Sequence, residues 1–263
     1  MNQPPPVRGP DAGPPAPPRM SLPSRLFNLF ATPGEVMDDV ARSGPAAGNW
    51  VAPALLLMVV SWVGAWLVFS QPAIQQQLSE ITSQAIEKQI AGQKMSEQQA
   101  EQVRNAAEKW GLIGAKVSAY AAPAALAFAV PFLWGLVLWL VGRNVFKREF
   151  PFMKAVEVVG LAAMIGVLET VVRTLLILVT GNLFASPSLV LLVRNYDPQN
   201  PVHGLLALTN VLVWWLLAVR AMGLARLAAV SFARAAAWVF GIWLLYSTSM
   251  VGLGFAMQAL FKR

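Results

Sequence analysis

Trp50-Val51-Ala52-Pro53-Ala54-Leu55-Leu56-Leu57-Met58-Val59-Val60-Ser61-Trp62-Val63-Gly64-Ala65-Trp66-Leu67-Val68-Phe69 runs for twenty residues without a charge, and none occurs between Arg42 and Glu80. About 20 apolar residues wound as a helix cover the roughly 30 Å hydrocarbon core of a bilayer. The stretch therefore reads as a membrane span. The rest of the chain agrees: 56% of its 263 residues are hydrophobic and 13% are charged, against about 25% charged in an ordinary soluble domain. A soluble fold cannot hide that much apolar surface, because small domains still expose a large fraction of their area.

Working outward, four more windows of the same kind follow. With the first, at about 50–70, they place spans near 119–142, 155–180, 204–221 and 235–260, the fourth resting on a charge-free window from about Leu205 to Val219 that Arg220 closes. The third window is the least uniform, since Glu157, Glu169 and Arg173 fall within it. Lipid offers no hydrogen bonds to a bare backbone, so each span has to be helical. The expected fold is an all-α, polytopic bundle of five transmembrane helices over residues 50–260. Gly181, Asn182 and Pro187 interrupt a further uncharged stretch, so 183–193 reads as an interfacial or re-entrant piece.

The flanking segments are polar. Residues 1–23 hold nine of the 19 prolines and little apolar mass, the composition of a disordered tail. Within it, Pro14-Pro15-Ala16-Pro17-Pro18 is either a polyproline docking segment or, more simply, a solvated spacer. Residues 24–49 read as an amphipathic segment lying along the membrane surface. Leu26, Phe27, Leu29 and Phe30 form its apolar cluster, and Val36, Met37 and Val40 continue one face while Asp38 and Asp39 stay wet. Thr32-Pro33-Gly34-Glu35 has the form of a capping box, with Thr32 as cap and Pro33 as the first helical residue. Phe27, Phe30, Thr32, Pro33 and Glu35 are accordingly the candidate contacts to a partner or to the membrane surface. Between the first two spans, Ile74, Leu78, Ile81 and Ala85, then Ala100, Val103, Ala107 and Trp110, recur at helical spacing. Gly92 separates the two runs, and Ser96 with Gln99 forms a second capping signature. Residues 72–115 therefore read as a helical hairpin or as extensions of the flanking spans.

Lys and Arg set the expected orientation. Arg8, Arg19, Arg25 and Arg42 precede the first span. Arg143, Lys147, Arg148 and Lys154 fill the second connection, and Arg220, Arg226 and Arg234 the fourth. The third offers Arg194, and the end of the chain Lys262 and Arg263. That pattern puts the N-terminus in the cytoplasm and the C-terminus outside. The first connection, about 71–115, runs against it with Lys88, Lys94, Arg104, Lys109 and Lys116. Its length and the sparse charge near its start make an extracytoplasmic hairpin at 72–115 tolerable.

Little enzyme chemistry is available. The chain has no cysteine and a single histidine, His203, which sits on a Pro-punctuated loop. Phosphate-cradling loops, HExxH and GxSxG motifs do not occur. No catalytic residue, metal or cofactor is expected. The net charge of +7 is dispersed rather than gathered into a stripe, so nucleic acid is not an expected partner. The candidate intramembrane pair is Glu169 with Arg173, four residues apart on one helix face with the acid N-terminal. Ionisable groups inside a span are functional candidates by default; the simpler reading is a self-neutralising pair that locks two helices together. Glu157, beside Lys154, is expected to snorkel to the surface. Trp50 and Trp110 fall where an aromatic belt belongs. Ala162 with Gly166, and Gly252 with Ala256, permit close helix contact.

Phe27-Asn28-Leu29-Phe30-Ala31-Thr32-Pro33-Gly34-Glu35-Val36 resembles the lead-in of bacterial Yip-domain proteins, prokaryotic relatives of the Ypt/Rab-interacting membrane proteins. Asn210-Val211-Leu212-Val213-Trp214-Trp215-Leu216-Leu217-Ala218-Val219-Arg220-Ala221-Met222-Gly223-Leu224, then Ser231-Phe232-Ala233-Arg234-Ala235-Ala236, is similar to that family's Trp-bearing fourth span and the opening of its last. The resemblance implies a five-helix, N-inside protein of the bacterial inner membrane. Of the eukaryotic Asp-Leu-Tyr-Gly-Pro motif only Gly44-Pro45 stands here, and Gly160-Leu161 replaces a Gly-Tyr pair, so Rab-type GTPase binding does not carry over. The function expected is a non-enzymatic scaffold, adaptor or membrane organiser. Its partners would be the lipid bilayer and other membrane proteins or a second copy of the chain. The alternative is a small transporter or channel using Glu169 and Arg173, and a remoter one an accessory subunit of a larger permease or export complex.

Overall fold

The computed structural model describes residues 19–92, 96–194, 196–197 and 200–261. Its regular structure is all-α. In chain order come α1 (Leu22–Ala31), α2 (Pro33–Arg42), α3 (Gly48–Phe69), α4 (Pro72–Gly92), α5 (Glu97–Leu140), α6 (Phe152–Thr180), α7 (Pro201–Ala207), α8 (Val211–Ala228) and α9 (Phe232–Phe261). A π turn, Val141–Val145, prolongs α5. Five helices, α3, α5, α6, α8 and α9, are long and apolar enough to cross a bilayer, and the chain is a multi-pass membrane protein.

The bundle is organised around α6, against which α3, α5 and α8 all pack. Glycine permits the closest approaches. A β-carbon on Gly160 of α6 would collide with Trp50 and come within 3.0 Å of the Asn49 carbonyl, so α3 and α6 touch there almost backbone to backbone. On α8, a β-carbon at Gly223 would run into Val158 of α6 and come within 3.1 Å of Met37 Sδ of α2. The hydrophobic core consequently contains residues of the N-terminal hairpin as well as of the spans: Leu29, Val36, Met37 and Val40 are buried together with Leu161, Ile165, Leu217 and Leu224. The hairpin side chains among them, removed from water, each contribute about 1.5–3 kcal/mol; those of the spans leave lipid, and there close packing is the gain. By contrast α9 buries Ala235 and Val239 near its start, and a β-carbon on Gly252 would meet no neighbouring element within 4 Å among the described residues. The close contact expected of Gly252 and Ala256 is not made here. Ala162 is buried, and Gly166 does face Leu216 of α8.

Several expectations are corrected. The amphipathic segment is two helices that turn sharply at Thr32, and its apolar face packs on α6 and α8. Thr32 makes no side-chain capping bond; the Glu35 amide bonds the Thr32 carbonyl at 3.1 Å instead. Helix α1 begins inside the stretch expected to be a disordered tail, with Ser21 as its cap and Pro23 in its first turn; residues 1–18 lie outside the described residues. The fourth span is displaced along the sequence, running to Ala228. Ser96 and Gln99 do form a reciprocal capping box, at 3.0 and 3.4 Å, and α4 packs beside the first part of α5 as a hairpin whose second arm runs straight into the span. Residues 183–193 form a mostly irregular cap with one 3₁₀ turn, tied down by the Leu183 amide on Gln77 Oε1 (2.8 Å) and the Val211 amide on the Pro187 carbonyl (3.2 Å).

Candidate functional site

Where the N-terminal hairpin meets the starts of α3 and α6, four ionisable side chains are buried together. Arg25 comes from α1, Asp39 from α2, and Lys154 and Glu157 from the first turns of α6; Asn49 at the start of α3 joins them. Arg25 is fixed by three neighbours. Its Nε and Nη2 lie 2.8 Å from Asp39 Oδ2, Nη1 donates to Asn49 Oδ1 at 3.1 Å, and Nη2 reaches Ser43 Oγ at 3.2 Å. Asn49 then passes the connection on, its Nδ2 donating to Glu157 Oε2 at 2.6 Å. Glu157 accepts also from the Ala46 amide (3.1 Å) and from Lys154 Nζ (3.3 Å). Lys154 spends its remaining donors on the carbonyls of Val40 and Gly44, each at 2.9 Å.

The network is closed and charge-balanced, with two cations and two carboxylates all hydrogen-bonded. Glu157 is 1% exposed and Lys154 4%, so the pair does not snorkel; it faces the protein. Asp39 is buried as well, whereas Asp38 does stay at the surface and pairs there with Arg226 at 3.2 Å. Buried ion pairs of this kind add little net stability over an apolar replacement, but losing one partner leaves an uncompensated charge. The arrangement can hold the hairpin in one position on the bundle. It offers no group free to react.

The pair singled out in the sequence does form. Arg173 Nε and Nη2 lie 2.9 and 2.8 Å from Glu169 Oε1, and the same oxygen accepts from Asn210 Nδ2 at 2.9 Å. Asn210 is the N-cap of α8, its Oδ1 accepting from the amides of Leu212 and Val213. Glu169 thus joins α6 to the first turn of α8, with Arg173 half exposed at the edge. Among the other candidates, Phe30 packs edge-on against Trp215 of α8 at 6.2 Å between ring centroids. Phe27 points away from the core and is 76% exposed. Thr32 and Glu35 are exposed and Pro33 is half-buried. His203 stacks on Tyr196, and its Nδ1 accepts from the Asp197 amide at 3.0 Å, a tie within the loop cap. Trp50 packs inward against Phe132, while Trp110 is exposed. In the α4–α5 hairpin, Arg104 hydrogen-bonded to Glu87 at 2.7 Å holds that carboxyl below its ordinary range.

Sequence reasoning missed Arg220. It was placed in the fourth connection, yet it lies midway along α8, 5% exposed, with its guanidinium 4.8 Å over the Trp134 ring of α5. Its signal was its position, three residues before the Gly223 that lets α8 into the bundle. Among the described residues no group of three or more His, Cys, Asp or Glu side chains is arranged to hold a metal ion. Comparison with family models, with curated proteins and with solved structures gave no match to this chain.

Proposed function

We propose that this multi-pass membrane protein is a non-enzymatic scaffold or adaptor of the Yip type, whose N-terminal hairpin is its presenting surface. The observation that carries this reading is the closed network of Arg25, Asp39, Asn49, Lys154 and Glu157, which fixes α1 and α2 on the bundle. A hairpin held this firmly keeps a constant outer face, with Phe27, Thr32 and Glu35 exposed. A surface held ready in one conformation binds without the entropy loss of ordering it. Exposed Arg42, Arg143, Lys147 and Arg148 lie at the same end of the bundle, with Arg226 and Arg234 close by in sequence to the turn between α8 and α9; the positive-inside rule assigns that end to the cytoplasm. A bacterial inner membrane is the setting this reading requires.

A carrier built on Glu169 and Arg173 has less support, because that carboxylate is occupied by its own helix neighbour and by the cap of α8. The test is a photo-crosslinking residue in place of Phe27, activated in native membranes. A discrete protein adduct is expected, and it should fade when the network is broken by Lys154→Met. Adducts to lipid alone, together with solute flux in vesicles that Glu169→Gln abolishes, would replace the scaffold with the carrier.

A further inference from the structure

Between α3, α5, α6 and α8 lies a cavity of about 290 Å³, lined among others by Leu57, Ser61, Pro131, Ala163, Leu216 and Arg220. Helices α5 and α8 both pack on α6 but scarcely on each other, and the cavity occupies that gap. Its walls are aliphatic except at the hydroxyls of Ser61 and Thr170 and at Arg220, the one charged group among them. That guanidinium is nine-tenths buried or more and sits about 12–14 Å from either end of α8. Its Nε has no hydrogen-bond partner, and no acidic side chain among the described residues pairs with it. The face of Trp134 covers one side of the cation, and Nε is left without a partner.

Buried charges in proteins are as a rule paired, and a guanidinium edge fits the two oxygens of a carboxylate or phosphate. An apolar chamber at mid-span with one such donor set matches a ligand that is itself divided, with an acidic head and an aliphatic body. We propose that this cavity binds an acidic amphiphile of the membrane, its carboxylate or phosphate head on Arg220 and its acyl chain against α3 and α5. The cavity holds the head and the first methylenes, and the remainder of the chain leaves through the gap between α5 and α8. This site is separate from the hairpin network and does not depend on the scaffold reading.

The test uses the full chain, delipidated in neutral detergent, with four probes: dioleoyl phosphatidylglycerol, dioleoyl phosphatidylcholine, oleate and inorganic phosphate. Native mass spectrometry reads retained ligand, and thermal unfolding reads stabilisation. Phosphatidylglycerol or oleate should bind at least tenfold more tightly than phosphatidylcholine. Arg220→Met should weaken that binding by about 10–100-fold, the value of a charged hydrogen-bonded pair. Arg220→Lys, which keeps the charge without the fork, should fall between. Ala163→Leu fills the chamber with Arg220 intact and should reduce binding too, which keeps the test open if Arg220→Met fails to fold. Equal binding of the two phospholipids, or unchanged affinity in either Arg220→Met or Ala163→Leu, would overturn the proposal. So would inorganic phosphate that saturates the site and displaces lipid at comparable affinity, since the ligand would then be a free anion.

Discussion

Lys154→Met is the perturbation that tests most directly whether the buried network holds the hairpin in place. Methionine keeps most of the stem and deletes the ammonium. The Gly44 carbonyl loses the ammonium donor, and the Val40 carbonyl keeps only the bond from Ser43 Oγ among its side-chain donors. Glu157, 1% exposed, keeps its bonds to Ala46 and Asn49 but loses the Lys154 cation. Breaking one side of a buried ion pair costs about 3–5 kcal/mol. At 1.4 kcal/mol per factor of ten, the population of undocked hairpin should rise by roughly two to three and a half powers of ten. The chain contains no cysteine, so a single Val40→Cys substitution makes a reporter at a fully buried position of α2. Thiol labelling in membranes, limited by undocking, should accelerate by that factor in the Lys154→Met background. The double variant Lys154→Met with Glu157→Met removes both charges and should recover at least a tenfold part of the protection. Labelling within about threefold of the parent, or a double variant no better than the single, would refute the idea that these charges secure the hairpin.

Gly160→Ala should lower the unfolding midpoint in detergent by roughly 3–10 °C, from about 1–3 kcal/mol of overpacking against Trp50. Gly114→Ala, with nothing within 4 Å of its added carbon, should leave it unchanged or raise it. Asn210→Ala removes the α8 cap and a partner of Glu169, for a loss of about 1–2 kcal/mol. Asn210→Asp keeps the cap oxygen but sets a second carboxylate against Glu169, so by the same assay it should be worse than alanine. Thr32→Ala should shift stability by less than about 0.5 kcal/mol, because that hydroxyl caps nothing; a loss above about 1 kcal/mol would restore the capping box.

The spans were legible because lipid imposes its demand on each helix separately. A stretch such as Trp50 to Phe69 has to satisfy the bilayer with its own side chains, so the requirement is written locally. The Glu169–Arg173 pair was legible for the same reason, since one helix turn brings the two together. Its third member, Asn210, lies 41 residues away and was read only as part of a resemblance. The hairpin network could not be found this way. Asn49 and Glu157 stand 108 residues apart, and Lys154 and Gly44 stand 110 apart. Taken singly, each is an ordinary polar residue near a helix end, and the ordinary expectation, solvent, is the wrong one. Asp39 differs from its neighbour Asp38 by one position on a helix, yet that rotation of about 100° turns it from Arg226 at the surface to Arg25 in the interior.

Arg220 shows why counting charges misplaced the fourth span. A window drawn to exclude charge treats every face of a helix as though it met lipid, and such a charge at mid-span carries a penalty of about 2.5–3.5 kcal/mol even on the mildest scale. The register of α8 is set on its other face. Gly223 must lie opposite Val158 and Met37, and Leu217, Ala221 and Leu224 must enter the core. A helix ending at residue 221 would leave Gly223 and Leu224 in a loop and give up those contacts. Sliding the helix to Ala228 keeps them, at the expense of carrying Arg220 to mid-depth. There the Trp134 face offsets part of the penalty, by about 2 kcal/mol for a desolvated cation over an indole. The guanidinium's Nε is left without an acceptor, and the side chains whose packing fixes the register, all of them apolar, supply none.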